Sequence, residues 1–188
     1  MRRMWLAATS AALVMTSLAA GGRAAAFETV IGGLAGACSS AAKEGLHDSH
    51  SVDICTQALD REFLDPHDLA GTHVNRAAME LLNNDWEAAH TDFDRALLIF
   101  PKMGEAHIGL GVYMITMERW PEAEAEVNQG LDLGSEEPEK GYYFRGIARW
   151  GQDNFKGAYL DLHKASELKP DWALPRQQLA NFHVQPAP

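Results

Sequence analysis

The side chains that could do chemistry are few. Cys38 and Cys55 are the two thiols of the chain. His47-Asp48-Ser49-His50 gathers two imidazoles, a carboxylate and a hydroxyl within one short run. A metal needs three or four ligands fixed in space, and a nucleophile needs a base that is itself held by a third group. This run sits in a polar stretch, Lys43 to Ser49, that reads as a solvated loop and brings no further ligand. His90 and Asp94 have the spacing of an ordinary surface pair on one helix face. His73 and His107 recur at the same phase without a third partner. No glycine-rich loop with a lysine is present, and no Cys-x-x-Cys. These residues carry no catalytic arrangement, so the chain reads as a non-enzyme with no cofactor and no metal site.

One charged pattern does have a physical reading. Arg76 and Asp92 are 16 positions apart, and so are Arg145 and Asp161. Leu110 and Glu126 hold the same two columns between them. The pairs belong to a larger periodicity centred on residues 70–103, which reads as two antiparallel helices, about Gly71 to Leu82 and Trp86 to Phe100. Asn83-Asn84-Asp85 is the turn, and Pro101 stops the second helix because proline cannot continue one. Trp86, Trp120 and Phe155 recur at spacings of 34 and 35. Ala89, Ala123 and Ala158 keep step, as do Phe93, Val127 and Leu162, and Ala96, Gly130 and Ala165. In the first helices Ala77, Gly111 and Gly146 form another column. Small residues at fixed places let helices approach, and large ones fill the space between hairpins. A period near 34 is the mark of a helical-hairpin array.

Over residues 70–172 these columns resemble the tetratricopeptide repeat (TPR) family. The resemblance implies an all-α fold, a right-handed superhelical array of about three to four hairpins with a C-terminal capping helix. The repeats fall at 70–103, 104–138 and 139–172, with the cap and tail at 173–188. It also implies a concave groove lined by the first helices. Carried over by column, the groove residues are Val74, Asn75, Ala78 and Leu81, then Ile108, Val112 and Ile115, then Tyr143, Ile147 and Trp150. Tyr143 and Trp150 are the expected aromatic anchors, since such residues dominate binding hot spots. The basic clamp by which some TPR domains hold a peptide carboxylate is absent, with Glu105 and Gly109 standing in its place.

The first 26 residues read as a secretory signal peptide. Met1-Arg2-Arg3 is basic, Trp5 to Ala20 is apolar, and Ala24-x-Ala26 offers a cleavage site. Leu34 to Cys38 looks like a lipoprotein box, but it lies too far beyond the apolar run. Cleavage after Ala26 leaves 162 of 188 residues and moves the net charge from −10 to −13, because three arginines leave and no acid does. That acidic balance argues against nucleic acid and anionic membrane surfaces. An exported, periplasmic protein with no stable membrane insertion is the expectation.

Residues 27–69 read as a divergent first hairpin, with helices over Thr29 to Ala42 and Ser51 to Leu64 and a stop at Asp65-Pro66. Each helix carries one cysteine. An oxidising compartment favours a Cys38–Cys55 disulfide, and two buried free thiols are the alternative. A final helix over Leu174 to Phe182 would cap the array. The function implied is non-enzymatic binding of a protein or peptide in the groove. The alternative is a homo-oligomeric scaffold that fills the groove with a neighbouring copy.

Overall fold

The computed structural model describes residues 33–182. The expected signal peptide, its cleavage site, the start of the first helix and the tail beyond Phe182 lie outside the described residues. Nine helices and no strand make up the described part. They are α1 (Gly33–Lys43), α2 (Ser49–Arg61), α3 (Pro66–Leu82), α4 (Trp86–Ile99), α5 (Gly104–Thr116), α6 (Trp120–Leu133), α7 (Pro138–Gly151), α8 (Phe155–Leu168) and α9 (Ala173–Leu179). Consecutive helices pack as hairpins. Each first helix also leans on the next first helix, α1 on α3, α3 on α5 and α5 on α7. The result is a solenoid of four hairpins, α1/α2 through α7/α8, with α9 packed on α8.

Local chemistry sets the boundaries. Asp48 caps α2 by accepting from the backbone N–H groups of His50 and Ser51 at 2.9 and 3.2 Å. The polar run that could be drawn as a metal cluster is thus a helix start. Asp65 caps α3 in the same way, through His67 and Asp68, with Pro66 in the first turn. This corrects the expected boundary. Asp65-Pro66 opens α3 instead of closing α2, which ends at Arg61, because proline is at home in a helix's first turn.

The three inner turns repeat one geometry. Asn84, Glu118 and Asp153 have φ of 62°, 56° and 60°. Each is followed by a residue whose N–H reaches back across the turn: Asp85 to the Glu80 carbonyl, Arg119 to Met114 and Asn154 to Arg149, each at 2.9 Å. A left-handed residue followed by such a long return bond is the Schellman closure of a helix C-terminus.

The core follows the columns. Phe93, Val127 and Leu162 are almost wholly buried; Val127 stands opposite Gly111 and Leu162 opposite Gly146 within their own hairpins, while the Phe93 ring lies against Gly109 of α5. A Cβ on Gly111 would come within 2.4 Å of Val127 Cγ2, so that position excludes a side chain. Burying a side chain the size of Phe93 contributes about 2–3 kcal/mol.

Under the first hairpin lies a separate cluster of Cys38, Ala41, Cys55 and Met79. Cys38 and Cys55 are at disulfide distance, with S–S 2.12 Å. A Cys38 bonded to Cys55 has no thiol left to carry a lipid. Cys55 Sγ also lies 3.8 Å from Met79 Sδ, which ties the first hairpin to α3. No described helix is long and apolar enough to cross a membrane.

Candidate functional site: a groove lined by alternate helices

The first helices of successive hairpins line one continuous groove that encloses about 1200 Å³. Its floor is apolar. Val74, Ala78 and Leu81 come from α3, Ile108 and Val112 from α5, and Phe144 from α7. Gly109 explains how the floor reaches the core, because a Cβ there would strike the Phe93 ring at 2.2 Å. The missing side chain lets that ring pack directly beneath α5, just under the floor of the groove. Asn75 is a polar group in the floor.

The ten residues assigned to the groove by column divide in two. Val74, Asn75, Ala78, Leu81, Ile108 and Val112 line it. Ile115, Tyr143, Ile147 and Trp150 do not. Tyr143 is only 8 % exposed, and its ring stands 4.9 Å from that of Trp172. Trp150 meets Phe182 at 4.7 Å, and Ile147 packs in the same cluster. The expected pair of exposed aromatic anchors is therefore corrected. In the last hairpin those columns face the segment around α9, which occupies the place a further hairpin would take.

Other lining residues escaped the sequence reading. Ala35, Gly36 and Ser39 of α1 form one wall, while Trp172 and Leu174 close the far end. Phe144 had a signal, because it stands in the column of Asn75 and Gly109. The wall from α1 had none, since its hairpin departs from the repeat.

Around the floor the charges are mostly negative. Glu44, Glu62 and Asp68 stand near the N-terminal end, and Glu105, Glu136 and Glu137 toward the other. Among the described residues, Lys43 and Lys140 are the two ammonium groups that line the groove. Three of the acids are already engaged. Glu62 accepts the N–H groups of Leu34 and Ala35 at 2.5 and 2.9 Å, so it fixes the start of α1. Glu105 accepts the N–H of Glu136 at 2.6 Å, and Glu137 pairs with Lys140 at 2.6 Å.

The polar residues outside the groove hold hairpins together. Arg76 grips Asp92 with Nε–Oδ2 2.6 Å and Nη2–Oδ1 2.9 Å, and reaches back to Thr56 Oγ1 of α2 at 3.0 Å. Arg145 repeats this with Asp161 at 2.9 and 2.8 Å and with Asn128 of α6 at 2.8 Å. Burial pushes Asp92 up, but hydrogen bonds from His73 and Arg76 more than offset it and hold the carboxyl below the usual range. His73 Nδ1 lies 2.9 Å from Asp92 Oδ1, and His107 Nδ1 lies 2.8 Å from Glu126 Oε2. The two histidines are hairpin bolts with carboxylate partners. Among the described residues no group of three or more His, Cys, Asp or Glu side chains is placed to hold a metal ion.

No protein-family model matches the chain, and no curated protein does. Solved structures of MamA share its fold. MamA from Desulfovibrio magneticus RS-1, residue 41 to the end, has a TM-score of 0.54 at 18 % identity over 80 % of this chain and 84 % of that one. The MamA RS-1 ArsTM double mutant gives 0.54 at 18 % over 76 % of each chain. A further MamA crystal structure gives 0.52 at 16 %, over 82 % and 78 %. At such identities the likeness is one of fold: an all-α, TPR-like solenoid.

Proposed function

We propose that the chain is a non-enzymatic interaction module, exported to the periplasm, that holds a protein or peptide partner in this groove. The observation that carries the reading is the continuous apolar floor, built from side chains of three successive hairpins. A floor of that kind suits an extended or helical segment laid across several repeats. The hairpins α1/α2, α3/α4, α5/α6 and α7/α8 then serve as units of one surface, with the cap beyond them. The proposal involves no cofactor, nucleic acid or membrane insertion.

A second reading is self-association, and one observation favours it. Leu133 and Leu168 share one column of α6 and α8, and Leu98 of α4 stands one residue away from it; all three lie outside the groove and are 37 %, 43 % and 84 % exposed. Exposed leucines of that kind offer a seat for a second copy.

Sedimentation velocity over a range of concentrations separates the two, run on wild type, on Ala78→Arg and on Leu98→Lys/Leu168→Lys. A monomer at all concentrations, together with peptide selection that Ala78→Arg abolishes, supports the groove. Concentration-dependent mass that only the leucine variant removes overturns it in favour of self-association.

A further inference from the structure

Resting on the groove reading, the charges around the floor say what kind of segment fits. Among the described residues six carboxylates and two ammonium groups line the groove. Once internal bonds are counted, Glu62, Glu105 and Glu137 are committed to the fold, and Lys140 is neutralised by Glu137. Among the described residues Glu44, Asp68 and Glu136 keep exposed carboxylates, against the one free lining ammonium of Lys43. Asp68 has only a 3.6 Å approach to His67, and both side chains are well exposed. Free acids thus stand at both ends, with the apolar side chains of α3 and α5 between them.

We propose that the occupant is a peptide segment with an apolar centre flanked on both sides by lysine or arginine. An acidic segment would place like charges against Glu44, Asp68 and Glu136 and be repelled. A purely apolar segment would leave those carboxylates without counter-charge. A cationic, apolar segment satisfies the floor and both ends. Because the acids are exposed to solvent, their contribution is steering and selectivity, and it weakens with salt.

The test uses three fluorescent synthetic peptides of equal length with the same Leu-Phe-Leu centre, flanked by Lys-Arg, by Ser or by Glu. Anisotropy titration is expected to rank them in that order, with about tenfold or more between the first and last at low salt, shrinking in about 0.5 M salt. Glu44→Gln/Asp68→Asn/Glu136→Gln is expected to weaken the basic peptide about tenfold and leave the serine peptide unchanged. Glu87→Gln/Asp94→Asn/Asp132→Asn, an equal charge change outside the groove, is expected to leave the ranking intact. If the two triple variants act alike, bulk charge is responsible and the proposal fails. If all three peptides bind equally and Ala78→Arg abolishes binding, the charge proposal fails while the groove reading survives. If none binds and Ala78→Arg matches wild type, both fall.

Discussion

Arg76 and Asp92 join the two helices of a hairpin by a fork of paired bonds, and the same guanidinium reaches Thr56 of the preceding hairpin. One side chain therefore couples three helices. Its carboxylate partner, with only 3 % of its side chain exposed, also takes His73. Removing the acid alone strands a charge in the interior, which costs far more than the net worth of the pair. Asp92→Ala is expected to lower stability by about 3–5 kcal/mol, and Arg76→Leu/Asp92→Leu by much less. Urea denaturation of both variants checks this. Because Asp92 is held below its ordinary value, its contribution is present above the unfolded carboxyl range and is lost as pH falls through its folded pKa.

Glu80 shows the opposite sign. Burial, with the charge of Asp92 adding to it, pushes its carboxyl up to about 7 although Arg76 lies 3.9 Å away. Its Oε2 is buried without a partner. The same column holds Met114 in the third hairpin and Arg149 in the fourth, where it meets Asp161 at 2.8 Å, so an acid there is the exception and carries a cost. A folded pKa above the unfolded one means that stability falls as pH rises from about 4.5 to 7. Glu80→Gln is expected to gain about 1–3 kcal/mol at pH 8 and almost nothing near pH 4. Thermal melts across that range would show the two curves converging in acid. Parallel curves would refute the assignment.

The Cys38–Cys55 pair closes a short loop around the hairpin with the poorest helix formers, including Gly33 and Gly36. Cys38→Ala/Cys55→Ala is expected to cost about 3 kcal/mol. Wild type should lose the same amount in dithiothreitol, and the variant should be indifferent to it. A wild-type melting curve unmoved by reductant would mean that the thiols are not joined in solution.

Gly104 and Gly130 touch backbone to backbone. A Cβ on Gly130 would stand 2.6 Å from the Gly104 carbonyl oxygen, and one on Gly104 2.7 Å from that of Gly130. Neither oxygen can swing aside, so Gly130→Ala is expected to destabilise by about 1–3 kcal/mol. Gly71→Ala, where a Cβ meets nothing, is expected to be neutral or slightly stabilising. Paired denaturation curves decide whether the contact or the residue type matters.

The sequence carried the hairpins because each repeats in kind. Trp86, Trp120 and Phe155 each begin a second helix, and the Arg–Asp fork was visible as a spacing before it was a contact. It misled where a signal had two meanings. Asp65-Pro66 serves a helix start as well as a stop, and here the Asp65 carboxylate caps the helix that follows. The groove was half legible. Columns on α3 and α5 face it, but Tyr143, Ile147 and Trp150 obey the same periodicity and are covered, because the segment around α9 belongs to no repeat and its resting place leaves no periodic trace. The wall from α1 was hidden for the related reason that its helix departs from the consensus.

That covering of Tyr143 and Trp150 bears on how copies of the molecule can add to one another. Repeat arrays lengthen by laying a new unit on the last one, a head-to-tail step that generates open fibres when it does not close. Here the surface needed for the step is taken by Trp172, Leu179 and Phe182. Growth in that direction must first evict aromatic groups from their contacts, so the cap acts as a chain terminator. Any assembly that leaves it in place must use another face of the solenoid.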